Sequence, residues 1–183
     1  LPLYTNQFTP EQYGVVALFY TFVPLLNIIM RYGMGAAFLK NYVPANSEER
    51  MSIMTNVIVS LIISGLPFLA IFYFFRLDLS YILFGVVKPS YVIIMGVIVF
   101  FDTIWSIPML AFRAENRPRL FISLSLLNVG ITLLCNLLFI IILKMSIGSI
   151  FLSNLIASSF LFILVIPYII KRSRIASLSL TKW

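Results

Sequence analysis

The sequence contains no histidine and a single cysteine, Cys135, set inside an apolar run. Imidazole-based catalysis, internal disulfides and the usual zinc ligand sets are therefore excluded within this chain. Charge is scarce as well. Only 10% of the residues are Asp, Glu, Lys or Arg, and just 6 are acidic. No basic segment followed by a short apolar one stands at the start, so the opening residues are not expected to act as a signal peptide.

What fills the space is hydrophobic. Apolar residues make up 61% of the chain, and 17 of them are Phe. Soluble domains hold roughly 45–50%, and one of this length would struggle to hide so much apolar surface. The composition predicts an integral membrane protein. The formal charge of +7 suggests nucleic acid until the basic residues are located. Most flank hydrophobic segments, which fits a membrane surface and no nucleic-acid partner.

Hydrophobic periodicity and turn signals predict an all-α, polytopic helical bundle with spans at about 11–41, 51–75, 89–112, 120–143 and 147–170. Ahead of the first, LPLYTNQF reads as the last turn of a preceding span and a loop, so the chain is expected to be a piece of a longer protein. Thr9, Pro10 and Gln12 form a helix-start signal of the capping-box type. Residues 13–30 carry no charge, enough to cross the hydrocarbon of a bilayer. Arg31 follows, with apolar residues continuing to Leu39 before Lys40 closes the segment. Asn46, Glu48 and Glu49 mark the start of the second span, and Gly65 and Pro67 are possible kink sites within it. The 76–88 connection has an apolar YILFG centre suited to the membrane interface. RAENRPR, at 113–119, forms a compact basic turn.

Polar residues recur at helical spacing. Tyr20, Pro24, Asn27, Arg31 and Gly35 share a face of the first span, and Ser52, Asn56, Ser60 and Ser64 a face of the second. Ser125, Asn128, Thr132 and Asn136 do so in the fourth, and Ser149, Ser153, Asn154 and Ser158 run along the fifth. Asp102 stands about halfway along the third span, near Trp105, Ser106, Pro108 and Met109. Stripes of this kind either glue membrane helices together or line a wet central cavity. A guanidinium in a span costs about 2.5–3.5 kcal/mol or more, so Arg31 either faces the protein interior or snorkels to the nearer surface.

Orientation follows from alternation of the connections. Lys40, Arg50, Arg113, Arg117, Arg119, Lys171, Arg172, Arg174 and Lys182 fall on one side, against Arg76, Lys88 and Lys144 on the other. The richer side is expected in the cytoplasm. At a rise of ~1.5 Å per residue, Arg31 lies ~13–14 Å and Asp102 ~16–17 Å from that edge, so the two can share a layer.

LPLYTNQFTPEQYG, YGMGAAFLK, LFGVVKPSY and SIPMLAFRAENRPRLF, in this order and spacing, resemble the polysaccharide-biosynthesis (O-antigen flippase) family of the multidrug/oligosaccharidyl-lipid/polysaccharide exporter superfamily. The resemblance covers essentially the whole chain. It implies most of the N-terminal six-helix lobe of a 12–14-span transporter, with a C-terminal lobe supplied by the rest of the protein. It further implies a bacterial inner-membrane location and flipping of undecaprenyl-pyrophosphate-linked oligosaccharide by alternating access. No enzyme activity, metal or cofactor is implied, and membrane lipids and the lipid-linked oligosaccharide are the partners. By the same resemblance Arg31 would meet the pyrophosphate. Relatives often carry an acid where this chain has Gly35, which leaves Asp102 for ion coupling or for pairing with Arg31.

The residues expected to bind substrate are Arg31, Asn27, Asn56, Asn128 and Thr132. A cation- or proton-coupled drug exporter of the same superfamily is the alternative, and would favour acidic cavity residues over basic ones. A membrane glycosyltransferase would need a large polar loop with carboxylates for a metal-bound sugar nucleotide, which the sequence lacks. A purely structural bundle explains the stripes but not the expense of Arg31 and Asp102.

Overall fold

The structure, a computed structural model, describes residues 8–172. The LPLYTNQ segment at 1–7 and the tail at 173–183, with Arg174 and Lys182, lie outside the described residues. Seven α-helices follow in order: α1 Pro10–Arg31, α2 Met34–Tyr42, α3 Ser47–Phe74, α4 Arg76–Phe84, α5 Pro89–Ala114, α6 Pro118–Leu137 and α7 Gly148–Arg172. A π-helical turn, Leu138–Ile142, extends α6. Among the described residues there is no strand. Five helices are long and apolar enough to cross a membrane: α1, α3, α5, α6 with its π turn, and α7.

The helix starts are capped as the residues direct. Thr9 accepts a hydrogen bond from the Gln12 amide at 3.3 Å, and the Gln12 side chain accepts from the Thr9 amide at 3.2 Å. Asn46 caps α3 through the Glu48 and Glu49 amides, at 3.1 and 3.0 Å, and Glu49 reaches back to the Asn46 amide. These contacts satisfy N–H groups that no helical carbonyl can reach. α3 then runs without interruption through Gly65 and Pro67.

The 11–41 segment is not one helix. It breaks just after Arg31, where Tyr32 and Gly33 both take the left-handed conformation, at φ 33° and 84°. The Tyr32 amide closes α1 on the Ile28 and Ile29 carbonyls, and the Gly33 carbonyl opens α2 by accepting from Ala36 and Ala37. Gly33 has no Cβ to resist such a backbone, whereas Tyr32 bears a cost of order 1–3 kcal/mol. Gly35 therefore does not continue the Tyr20–Asn27–Arg31 stripe. It lies instead against Leu110 of α5, which a Cβ would meet at 3.3 Å.

α5 is the hub, packing against all six other helices. Its apolar window is 56% buried, against 11% for α6, whose surface is largely left to lipid or to further protein. The core forms two apolar clusters stacked along the bundle axis. One gathers Phe19, Phe72, Phe84, Tyr91, Met95, Ile98 and Phe151. Its rings nest closely: Phe151 lies 4.2 Å from Phe19 and 4.4 Å from Tyr91, centroid to centroid. The other gathers Phe38, Tyr42, Met54, Leu61, Ile104 and Ile107.

Candidate functional site

Every helix that joins both clusters turns polar or small where it passes from one to the other. On α5 the step from Ile98 to Ile104 carries Asp102 and Thr103, and on α7 the step from Phe151 to Phe162 carries Ser158. Asn27 and Arg31 occupy it between Phe19 and Phe38, and Gly65 between Leu61 and Phe72. The result is a polar layer near mid-bundle, with α5 at its centre.

Asp102 is the anchor of that layer. Its Oδ1 accepts from Ser158 Oγ at 2.7 Å and from Trp105 Nε1 at 2.9 Å. Asn27 is buried, and its Oδ1 accepts from Thr103 Oγ1 at 3.2 Å, which ties α1 to α5. The Asn27 amide and the Arg31 guanidinium are also electrostatic neighbours of the Asp102 carboxylate. Arg31 and Asp102 share the layer without forming a direct ion pair, the ion pairs among the described residues being those of Glu115. Arg31 Nε is buried and makes no hydrogen bond.

Beside Asp102 a cavity of about 280 Å³ opens between four helices. Tyr20 and Val23 come from α1, Ile98 and Asp102 from α5, and Asn154 and Ser158 from α7; α6 adds Asn128, Thr132 and Asn136 with their apolar neighbours. Asn154 Nδ2 donates to Tyr20 Oη at 3.1 Å and to the Ile150 carbonyl at 2.8 Å, holding that side of the wall. Thr132 donates to the Asn128 carbonyl at 2.9 Å, so its hydroxyl oxygen keeps acceptor capacity. Amides, hydroxyls and one carboxylate in a mostly apolar wall can hold a polar or cationic group by hydrogen bonding.

Asp102, Asn128 and Thr132 thus line one cavity. Arg31 and Asn27 sit in the same layer but outside the cavity lining, and Asn56 is half-buried on α3 away from it. Tyr20, Asn136, Asn154 and Ser158 complete the site. All four lie on the polar stripes, but only the packing of α1, α6 and α7 beside α5 brings them to Asp102.

A second group of charges closes one end of the bundle. Glu115, in the α5–α6 turn, is largely buried, and its Oε1 accepts from Tyr42 Oη at 2.7 Å and pairs closely with Arg172 Nη1. Arg117 Nε approaches its Oε2 at 3.5 Å. Arg172 also donates to Tyr42 Oη at 3.3 Å and lies over the Tyr168 ring. Burial, and then the acceptor offered by Glu115, push the Tyr42 phenol above its ordinary range, so it stays a donor. This clasp joins the α2–α3 turn, the α5–α6 turn and the end of α7. Those three connections share one end, as alternation of spans requires.

Four apolar helices around a fifth, with a polar layer and a cavity at mid-depth, define a polytopic integral membrane protein with a polar pocket in its bundle. The chain belongs to the polysaccharide biosynthesis protein family, whose model matches residues 1–182. No curated protein and no solved structure matches it.

Proposed function

We propose that the chain forms one lobe of a flippase that carries undecaprenyl-pyrophosphate-linked oligosaccharide units across the bacterial inner membrane by alternating access. The observation that carries this reading is the polar layer between two apolar clusters. Spanning helices do not accept an arginine, an aspartate and several amides at mid-depth unless those groups face protein or a wet path. Family membership supports the substrate class. A second lobe of the same protein would cover the exposed face of α6 and complete the path, as in transporters built from paired bundles. Arg31, with a buried Nε lacking a partner, is assigned to the pyrophosphate, because a guanidinium grips phosphate through two parallel hydrogen bonds. Asn128 and Thr132 are assigned to sugar hydroxyls, and Asp102 to pairing with Arg31 or to ion coupling. Asn27 holds α1 to α5 through Thr103.

One observation favours a cation- or proton-coupled exporter of the same superfamily: the charged residue in the cavity lining is Asp102, and Arg31 stands outside that lining. The two readings separate in a strain lacking its polysaccharide flippase. Flippase function predicts that the gene restores surface polysaccharide, that Arg31→Ala abolishes the rescue at normal expression, and that Arg31→Lys retains part of it. Drug or dye efflux without polysaccharide rescue would establish the exporter instead.

A further inference from the structure

Apart from the polar pocket, a cleft of about 670 Å³ opens at the clasp end. It is lined by Ser47, Arg50, Glu115, Arg117, Lys171 and Arg172, together with Met51 and Tyr168. Four of these side chains are cationic and one is anionic. They come from three connections far apart in sequence: the start of α3, the α5–α6 turn and the end of α7. A basic flank that only fixes membrane orientation needs a count of charges. It does not need them to converge on one cleft.

We infer that this cleft is a binding site for a phosphate group, of the kind carried by an anionic lipid headgroup or by a soluble phosphate compound. Glu115 cannot neutralise it. Its Oε1 is already shared by Tyr42 and Arg172, while its Oε2 meets Arg117 only at 3.5 Å. Glu49, next to Arg50 in sequence, accepts from the Asn46 amide. Arg50 and Arg172 are also held in place before any ligand arrives. Arg50 donates from Nε to the Tyr42 carbonyl and from Nη2 to the Val43 carbonyl, each at 3.1 Å, and lies over the Tyr42 ring. With five N–H donors, a guanidinium so fixed still has some to offer. Arg172 is pinned by Glu115 and Tyr42, whereas Lys171 makes no such contact among the described residues and is exposed.

The apolar side of the cleft, Met51 and Tyr168, suits a ligand with a greasy portion, and the ends of spanning helices place it at the headgroup level. The site is separate from the mid-bundle pocket and stands whether or not the chain moves lipid-linked sugars.

The test uses the purified full chain in a neutral detergent, with thermal unfolding followed by tryptophan fluorescence. The probes are dihexanoyl-phosphatidylglycerol, dihexanoyl-phosphatidylcholine and inorganic pyrophosphate. Phosphatidylglycerol should raise Tm saturably, phosphatidylcholine should not, and the effect should weaken as salt is added. The exposed pair Arg117→Gln and Lys171→Gln together should raise the apparent Kd by about tenfold, the loss of at least one charge-assisted hydrogen bond. Lys40→Gln with Arg119→Gln, which removes the same charge outside the cleft, should leave it unchanged. Equal stabilisation by pyrophosphate supports the site and identifies its ligand as a soluble phosphate. Stabilisation by phosphatidylcholine equal to that by phosphatidylglycerol, insensitivity to salt, equal weakening by both double variants, or no shift with any probe would each overturn the inference.

Discussion

Ser158 of α7 donates a 2.7 Å hydrogen bond to Oδ1 of Asp102 on α5, a contact between residues 56 positions apart. It fastens the hub helix to the helix with which it shares most of its packing, at the level where the two apolar clusters part. The same oxygen receives the Trp105 indole N–H. One carboxylate oxygen therefore satisfies two donors that would otherwise be left in an apolar surrounding.

Ser158→Ala removes one of those donors and leaves Trp105 in place. Hydrogen bonds between membrane helices average about 0.6 kcal/mol, with a maximum near 1.7, so the loss should fall in that range. Asp102→Asn keeps an acceptor for both donors and should cost no more. Asp102→Leu strands both and should cost more than either. The three variants would be compared by reversible unfolding in mixed detergent micelles. A Leu variant as stable as the Asn variant would show that Asp102 is not holding the layer together.

Gly65 sits where α1, α3 and α5 cross. A Cβ there would come within 2.5 Å of Met30 Cε and 2.6 Å of the Phe100 ring. Met30 can swing aside, but the ring is confined between helices. Gly65→Ala should therefore destabilise the fold by about 1–3 kcal/mol, as overpacked cores do. Gly130 on α6 has nothing within 4 Å of its notional Cβ. Gly130→Ala should be neutral or stabilising by up to about 1 kcal/mol, since alanine is the better helix residue. Equal effects at the two glycines would contradict the crossing as described.

Glu115 gathers Tyr42, Arg172 and Arg117 at one end of the bundle. Glu115→Gln keeps an acceptor for the Tyr42 phenol but loses the charge that balances Arg172. Glu115→Ala loses both. The order of stability should be wild type, then Gln, then Ala, with about 1–3 kcal/mol between the extremes, because the Arg172 side chain is 32% exposed and part of its charge is solvated. Limited proteolysis in the α2–α3 turn should speed up in the same order. Unchanged proteolysis in the Ala variant would mean that the three connections hold together without the clasp.

Much of this arrangement was legible because the bilayer simplifies the code. Long apolar stretches, the Thr9 and Asn46 caps and the basic turns fix the spans. The Asn128–Thr132–Asn136 spacing places three amides and hydroxyls on one face of α6 before any neighbour is known. What the periodicity missed has physical reasons. An unbroken apolar run from Tyr32 to Leu39 conceals a helix break, although Gly33 is the residue that such a stop prefers. Polar stripes read alike whether they glue helices or line a cavity. Asn27 turned out to bond Thr103, while Asn154 and Ser158 face the pocket, and only the packing of α1 and α7 on α5 separates those fates. Glu115 lies inside a turn, RAENRPR, in which arginines outnumber it. A lone acid among them signals an internal partner more than a surface charge.

The remaining prediction concerns orientation. Among the described residues, the clasp end carries Lys40, Arg50, Arg113, Arg117, Arg119, Lys171 and Arg172, and the opposite end Arg76, Lys88 and Lys144. Translocating basic residues is disfavoured, so the clasp end should face the cytoplasm. Ser80, in the 76–88 connection, is a poor reporter of the outer face. It is fully buried, donating to the Val86 carbonyl and accepting from the Lys88 amide, both at 2.7 Å. Its neighbour Tyr81 is 66% exposed and on the same short helix. Arg119 is exposed at the start of α6 and lies outside the proposed phosphate cleft. With Cys135 replaced by alanine, Tyr81→Cys should react on intact cells with a thiol reagent that reaches the membrane holding the protein but cannot cross it. Arg119→Cys should react only once that membrane is opened. The reverse pattern would invert the topology and move the phosphate cleft to the outer face.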